Sequence, residues 1–215
     1  MLTEKDTIKC ESVFNEDRTH RYLWRRVWSK DKPVIMVIML NPCHADNIVT
    51  DTTTSLVVNN VARLEEYGGV EILNLYSLLT PKLNFRWNDD SDLNHEDNDS
   101  YIKKAAEECK TVLLAWGRSG NINQRIEERV VKIINLLQPY EDKLYMITDG
   151  IRIGLHPLTP CLRNTWKIAP FNKNESVADR VKRMLDDDEE YQRLNSEIEI
   201  PKNVQIILDE IDTAW

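Results

Sequence analysis

The sequence lacks cysteine pairs, is poor in glycine and contains no long apolar run. Its four cysteines are scattered, which argues against a zinc ribbon or a disulfide scaffold; they are Cys10, Cys43, Cys109 and Cys161. No apolar run approaches the roughly 20 residues that a membrane-spanning helix needs. The first residues, MLTEKDTIKCESVF, lack the pattern of a signal peptide. We therefore expect a soluble cytoplasmic protein without a membrane segment, metal or cofactor.

Basic residues are also in the minority, with 28 against 36 acidic residues and a formal net charge of −8. Because duplex binding depends largely on neutralising phosphates, this charge disfavours a protein that wraps DNA. The negative excess is concentrated at 89–99 and in the DDDEE run at 186–190. Four arginines form a local basic cluster in the sequence and leave room for a small basic face; they are Arg18, Arg21, Arg25 and Arg26.

Short apolar segments alternate with amphipathic ones along the first three quarters of the chain. Buried strands are predicted at 33–40, 70–75, 111–117 and 143–148, and an edge strand or hairpin arm at 20–28. Helices are predicted at 52–67, 99–109 and 119–137, the last of them capped by Ser119 or Asn121. This alternation predicts a three-layer α/β/α sandwich with a central, mostly parallel, four-stranded sheet. We expect one domain over 1–170 and an acidic helical appendage over 171–215, since 215 residues are few for two domains.

Distinctive peptides follow three of the predicted strands, namely NPCH, NLYS and WGRSG. Ligands of parallel α/β sheets bind beyond the carboxyl ends of the strands, so these peptides mark the expected site. A long polar loop from Thr80 to about Asn98 follows the second strand, and loops of that length are usually functional or disordered.

Four peptides in chain order resemble the motifs of uracil-DNA glycosylases. They are VIMLNPCHAD at 37–46, GVEILNLYSLLTP at 69–81, TVLLAWGRSGN at 111–121 and LHPLTP at 155–160. The same peptides resemble still more closely the uncharacterised domain-of-unknown-function family sixteen forty-three of bacteria and phages. That resemblance covers about residues 20 to 165, and it implies a fold similar to that of the uracil-DNA glycosylase superfamily.

The resemblance implies specific roles for three residues. Asn41, in an Asn-Pro pair as in the mismatch-specific branch, matches the residue that orients the attacking water. Asn74 matches the asparagine that binds the Watson–Crick edge of uracil, and its amide offers one acceptor and two donors for that task. His156 matches the transition-state histidine, and a neutral imidazole there donates to the departing base. Each residue also has a plain structural interpretation, as a turn starter, a strand end or a loop histidine.

The remaining candidates have weaker signals. Asp46 is a candidate catalytic base near the Asn-Pro turn, whereas Asp51 is favoured as a helix cap. His44 and Tyr76 are candidates for contacts with the base. Trp116, Gly117 and Ser119 are candidates for a phosphate site or pocket wall, with core packing the favoured interpretation of Trp116. Leu158 resembles the apolar wedge that enters a vacated base stack, or it packs locally.

The chain also departs from the glycosylase motifs. It lacks the aspartate of the classical first motif, the small serines of the histidine loop and an evident stacking phenylalanine in DTTTSLVVNN. Two functions therefore stay open. One is a glycosylase-type hydrolase that excises uracil or a modified base from DNA, and the other is a non-catalytic nucleotide-binding or phage- or defence-related interaction protein. The expected partner is a nucleotide or a DNA base, and the oligomeric state is not predicted.

Overall fold

The computed structural model describes residues 3–43, 47–117, 123–150, 152–162 and 166–171. All of them lie within one structural unit, Met1–Glu175. Apart from Phe171, the predicted C-terminal appendage is outside the described residues, as are three candidate site residues, His44, Asp46 and Ser119.

The fold is α/β with one seven-stranded sheet. Its strands are β1 Lys9–Phe14, β2 Arg21–Val27, β3 Val34–Met39, β4 Gly69–Asn74, β5 Thr111–Leu114, β6 Leu144–Thr148 and β7 Lys167–Pro170. Their spatial order is β1-β2-β4-β3-β5-β6-β7. The four predicted strands are confirmed as the parallel centre, β4-β3-β5-β6.

The prediction of four strands is wrong because antiparallel strands extend the sheet on both sides. On one side β2 pairs with β4 and with β1, so β2 is a hairpin arm but not an edge. On the other side β7 pairs with β6. Both missed strands are edge strands with mostly exposed or half-buried side chains, so their sequences carry no apolar run. Proline lacks a backbone N–H group. Pro170 is tolerated in β7 because a residue at the edge of the sheet does not need to donate to a further strand.

Four helices connect and cover the strands; they are α1 Thr52–Arg63, α2 Asp90–Leu93, α3 Asn98–Glu108 and α4 Gln124–Leu137. The short α2 lies within the loop predicted between Thr80 and Asn98. The prediction that Ser119 or Asn121 caps α4 is wrong. Asn123 is the cap, and its side chain accepts a hydrogen bond from the Arg125 amide at 2.9 Å. Among the described residues, no helix is long and apolar enough to cross a membrane.

Alternate residues of the parallel strands face opposite sides of the sheet. Ile35, Val37 and Met39 of β3 pack in one core with Val57 and Val61 of α1. The intervening residues of β3 face the side covered by α3 and α4. The two ends of this layered structure differ, because the carboxyl ends of all four parallel strands lie at the same edge.

Candidate strand-end binding site

The carboxyl edge of the parallel strands carries most of the predicted site residues. Asn74 is the last residue of β4 and pairs with Met39 of β3, two positions before Asn41. The β5 end is joined to the same strand by the Ala115 amide, which donates to the Ile38 carbonyl at 2.8 Å. Asn41, Asn74 and the Trp116-Gly117 turn therefore lie along one edge of the sheet.

Asn74 is the most unusual polar group of this edge. Its side chain is 1% exposed, and neither Nδ2 nor Oδ1 has a hydrogen-bond partner among the described residues. Side chains alternate along a strand, so Asn74 lies on the same face as Ile72, which packs against α1. A buried amide without partners costs about 1–3 kcal/mol. Such a group calls for an explanation, because buried polar groups in folded proteins are almost always hydrogen-bonded.

The strand end that carries Asn74 is held from behind by Asn98 of α3. The Asn98 Nδ2 donates to the carbonyl of Asn74 at 3.0 Å and more weakly to that of Leu75 at 3.4 Å. Asn98 is fully buried. The backbone of Asn74 is thus fixed, whereas its buried side-chain amide makes no hydrogen bond to the described residues.

His156 lies at the same edge, and its imidazole ring is held in the neutral form. Its Nδ1 accepts a hydrogen bond from the Leu158 amide at 3.1 Å, so the ring proton resides on Nε2. Burial lowers the pKa of His156 below the usual histidine value of 6.5. The Nε2–H group is therefore a donor at neutral pH.

Gly117 makes the approach of His156 possible. Its φ is +71°, which disfavours residues with a Cβ. A Cβ at this position would also lie 2.8 Å from the Cβ of His156. Glycine is required here for both reasons, and the role of Gly117 in a phosphate site or pocket wall stays a prediction.

Asn41 is tied into the loop structure. Its Nδ2 donates to the Thr80 carbonyl at 2.7 Å and more weakly to the Pro42 carbonyl at 3.3 Å. These bonds fasten the loop after β3 to the loop after β4. Its Oδ1 accepts no hydrogen bond from the described residues, so it is the atom that can orient a water molecule.

Tyr76 is turned away from the Asn74 side chain. Its hydroxyl donates to the Arg125 carbonyl at 2.9 Å, and its ring contacts Phe85 edge-on at a centroid distance of 5.6 Å. It lines a cavity of about 330 Å³ whose other walls come from α2, α3 and α4. Burial raises its pKa to about 12. Asn74 is not among the residues of that cavity, so the structure does not bring these two predicted base contacts together.

The other candidates differ in exposure. Trp116 is 4% exposed, as expected for core packing, whereas Leu158 is 38% exposed on its loop. Asp51 is the cap of α1, because its carboxylate accepts hydrogen bonds from the Thr54 amide at 2.8 Å and hydroxyl at 3.0 Å.

Arg21 is a buried cation near this edge that the sequence did not single out as a site residue. It is 2% exposed, and burial lowers its pKa to about 10 against the opposing effects of Asp51 and Cys43. A bulge in the β1–β2 pairing makes Tyr22 the extra residue. Consecutive residues can then both be buried, with Tyr22 stacked on Tyr101 at 4.8 Å. No local sequence signal announces such a bulge.

The predicted basic cluster is divided among separate contacts. Arg25 pairs with Glu71 at 3.3 Å, and Arg18 lies 4.3 Å from the ring centroid of Phe14. Arg26 lies over Trp24 and donates to the Asn47 carbonyl. Within the described ranges, no three histidine, cysteine or acidic side chains are arranged to hold a metal ion.

A protein-family model matches most of the chain. The family model described as a protein of unknown function, DUF1643, matches residues 21–158, which is 138 of the 215 residues. Comparisons with curated proteins and with solved structures found no match. The matched range contains Asn41, Asn74, Gly117 and His156. The chain belongs to the DUF1643 family of proteins of unknown function.

Proposed function

We propose that the strand-end site binds a nucleobase and hydrolyses its N-glycosidic bond, as the resemblance to uracil-DNA glycosylases implies. The observation that carries this proposal is the buried, unpartnered carboxamide of Asn74. An amide presents a donor and an acceptor side by side, which complements the adjacent donor and acceptor on the edge of a pyrimidine. A site with this pairing rejects ligands that leave its buried groups unmatched.

His156 supplies the electrostatic part of the proposed reaction. As the base leaves, the bond between C1′ and the base nitrogen breaks and its electron pair remains on the base. The Nε2–H of neutral His156 donates to the base oxygen on which this charge accumulates. Water adds to C1′ and releases its proton to solvent, and the Asn41 Oδ1 orients that water without removing its proton.

The test of base recognition is binding of deoxyuridine monophosphate by isothermal titration calorimetry. Asn74→Asp keeps the size of the side chain but replaces the donor by an acceptor, and we expect at least about tenfold weaker binding. Asn59→Asp on the exposed face of α1 is the matched control and leaves the affinity unchanged. Equal affinity of the Asn74→Asp variant and the parent would refute the proposal.

A second candidate function, nucleotide binding without cleavage, is favoured by a different observation. The Asn41 amide group is engaged with Thr80, and the carboxylate of Asp51 is engaged with Thr54. Neither of these two side chains therefore acts as an efficient catalytic base. An excision assay on oligonucleotides with uracil, hydroxymethyluracil or mismatched thymine separates the two functions. Release of base that His156→Ala abolishes supports hydrolysis, whereas binding without release supports the second function.

A further inference from the structure

The side-chain amide of an asparagine can present its polar atoms in two arrangements. Rotation of the terminal amide by half a turn exchanges the oxygen and the nitrogen with almost no change in shape. In a folded protein, the hydrogen bonds of the amide decide which arrangement is populated. Whether an asparagine shows a donor or an acceptor at a given point therefore depends on the partners that the fold supplies.

Asn98 and Asn41 each have partners that fix the arrangement of their amides. The Asn98 Nδ2 donates to the Asn74 carbonyl at 3.0 Å and to Asn94 Oδ1 at 2.7 Å. The Asn41 Nδ2 donates to the Thr80 carbonyl at 2.7 Å. A half-turn of either amide would bring its oxygen against these acceptor oxygens, so each amide is held in the observed arrangement.

The Asn74 amide has no such partner among the described residues. Its register partner in β3 is Met39, and the preceding residue on the same face of β4 is Ile72. Neither of these side chains carries an N–H or O–H group. Asn98 meanwhile holds the backbone carbonyl of Asn74. The strand therefore fixes where the amide lies, whereas the described residues leave its arrangement to be decided by a ligand.

Uracil and cytosine present opposite orders of donor and acceptor on the edge that an amide contacts. Uracil offers the N3–H donor beside the O4 acceptor, whereas cytosine offers the N3 acceptor beside the amino donor at C4. An amide in one arrangement matches both groups of uracil, and after a half-turn it matches both groups of cytosine. An amide that turns freely therefore forms a pair of hydrogen bonds with either base.

His156, the other residue proposed to contact the base, offers a feature that both pyrimidines accept. Its proton lies on Nε2, because Nδ1 accepts a hydrogen bond from the Leu158 amide at 3.1 Å. Uracil and cytosine both carry an acceptor oxygen at C2, next to the glycosidic nitrogen. A donor directed at that oxygen serves both bases and does not distinguish them.

We infer that the strand-end site accepts pyrimidine bases as a class, uracil and cytosine alike, through an Asn74 amide that turns to match either edge. This inference rests on the proposed function and deepens it by naming the class of base that the site binds. The resemblance to uracil-DNA glycosylases implies a preference for uracil. Such a preference requires a partner that holds the Asn74 amide in one arrangement, and the described residues supply none.

The experiment compares the binding of deoxyuridine monophosphate and deoxycytidine monophosphate to the full-length protein by isothermal titration calorimetry. Neutral pH keeps the cytosine ring unprotonated. We expect the two dissociation constants to differ by less than about fivefold, because each base finds both of its edge groups matched. An amide held in one arrangement would separate the two bases by more than about fivefold.

Variants of Asn74 show whether the same amide contacts both bases. Asn74→Asp presents acceptors only, and each base has one acceptor on this edge, so binding of both should weaken by at least about tenfold. Asn74→Leu removes both polar atoms and should weaken the binding of both bases to a similar extent. Asn59→Asp, on the exposed face of α1, is the control and leaves both affinities unchanged.

The outcomes distinguish this inference from the proposed function. If deoxyuridine monophosphate binds in an Asn74-dependent manner but the two affinities differ by more than about fivefold, the inference fails and the proposed function stands. Binding of deoxycytidine monophosphate that neither Asn74 variant weakens also overturns the inference, because cytosine is then bound by other groups. If neither monophosphate binds, both proposals fail.

Discussion

Two buried polar residues, Asn74 and Arg129, lie in neighbouring parts of the molecule but differ in the hydrogen bonds that their side chains make. Arg129 of α4 is 7% exposed and donates from Nε to the Leu75 carbonyl at 2.7 Å. Its terminal nitrogens donate to Asp99 at 3.1 and 2.5 Å. Asn74, one residue before Leu75, is as deeply buried but has no partner for either amide atom among the described residues.

The difference teaches that burial alone does not identify a site. The Arg129 group is satisfied by neighbours that the fold itself provides, so its role in this structure is to join α4 to the end of β4. Asn74 differs in that both atoms of its side-chain amide lack a hydrogen-bond partner among the described residues. The proposed ligand would satisfy the Asn74 group, and substitution of Asn74 is therefore expected to cost much less stability than substitution of Arg129.

The largest effect on stability is expected for Arg129→Met. The substitution leaves Asp99 and the Leu75 carbonyl without their main partner, and we expect a loss of about 3–5 kcal/mol in the free energy of unfolding. Urea denaturation measures it. Lys132→Met is the control, because Lys132 contacts the same Asp99 at 2.9 Å but is 66% exposed and should cost less than about 1 kcal/mol. Equal losses for the two variants would contradict the assignment.

A smaller loss, about 2 kcal/mol, is expected for Gly117→Ala. The methyl group meets the Cβ of His156, and the positive φ adds backbone strain. Gly150→Ala is the control, because Gly150 also has a positive φ but the nearest atom to its added Cβ is the Lys167 Nζ at 3.6 Å. We expect weaker binding of deoxyuridine monophosphate for Gly117→Ala and unchanged binding for Gly150→Ala. A normal affinity of the Gly117 variant would show that His156 does not border the ligand.

A moderate, pH-dependent effect on stability is expected at His20, a buried residue immediately before β2. The Ser77 hydroxyl accepts a hydrogen bond from the His95 amide and is also hydrogen-bonded to Nδ1 of His20, 2.9 Å away. Burial, followed by the charge of His95, lowers the pKa of His20 below 6.5, against the opposing effects of Asp17 and Asp92. The stabilisation is complete above about pH 6.5 and is lost as the pH falls below it, because the unfolded chain takes up the proton first.

The measurement is the thermal unfolding temperature between about pH 7.5 and pH 5.5 for the parent and for His20→Gln. The parent should lose more stability on acidification than the variant does. His156, whose pKa is also lowered, keeps a residual slope in both proteins. Parallel pH profiles of the parent and the variant would show that His20 does not contribute to the pH dependence of stability.

The smallest effect on stability is expected for Asn74→Leu. The substitution removes two unpartnered polar atoms and preserves the approximate volume, so the free energy of unfolding should change by less than about 1 kcal/mol. Asn98→Leu is the matched comparison, because its amide donates to Asn74, Leu75 and Asn94, and it should cost about 2 kcal/mol. Similar losses from both variants would contradict the distinction between the unpartnered amide of Asn74 and the hydrogen-bonded Nδ2 of Asn98.

The parallel centre of the sheet was predictable because each of its strands is an apolar run bounded by turn residues. The outer strands were not, because β1 and β7 are stabilised by pairing with β2 and β6 and not by burial of their own side chains. The helices were predicted where apolar residues recur at helical spacing. The cap of α4 was misplaced because serine and asparagine residues at 119, 121 and 123 all offer capping side chains.

The sequence predicted where some of the candidate residues lie in the fold, and their roles stay predictions. Asn41, Asn74, Gly117 and His156 follow strands that the sequence identifies, and parallel strands present their carboxyl ends at one edge. Tyr76 was grouped with Asn74 because it is only two positions away, but the chain turns it toward α4 after the strand ends. The burial of Arg21 was not predicted because it depends on a bulge.

The sequence by itself determined the parallel core and the edge at which its polar residues collect, since side-chain period and strand boundaries are local properties of the chain. Only the tertiary structure decided which buried groups are satisfied. The neutral form of His156, the contact that requires Gly117 and the open amide of Asn74 each depend on atoms distant in sequence. Hydrogen bonding and steric contact between such atoms are properties of the packed molecule.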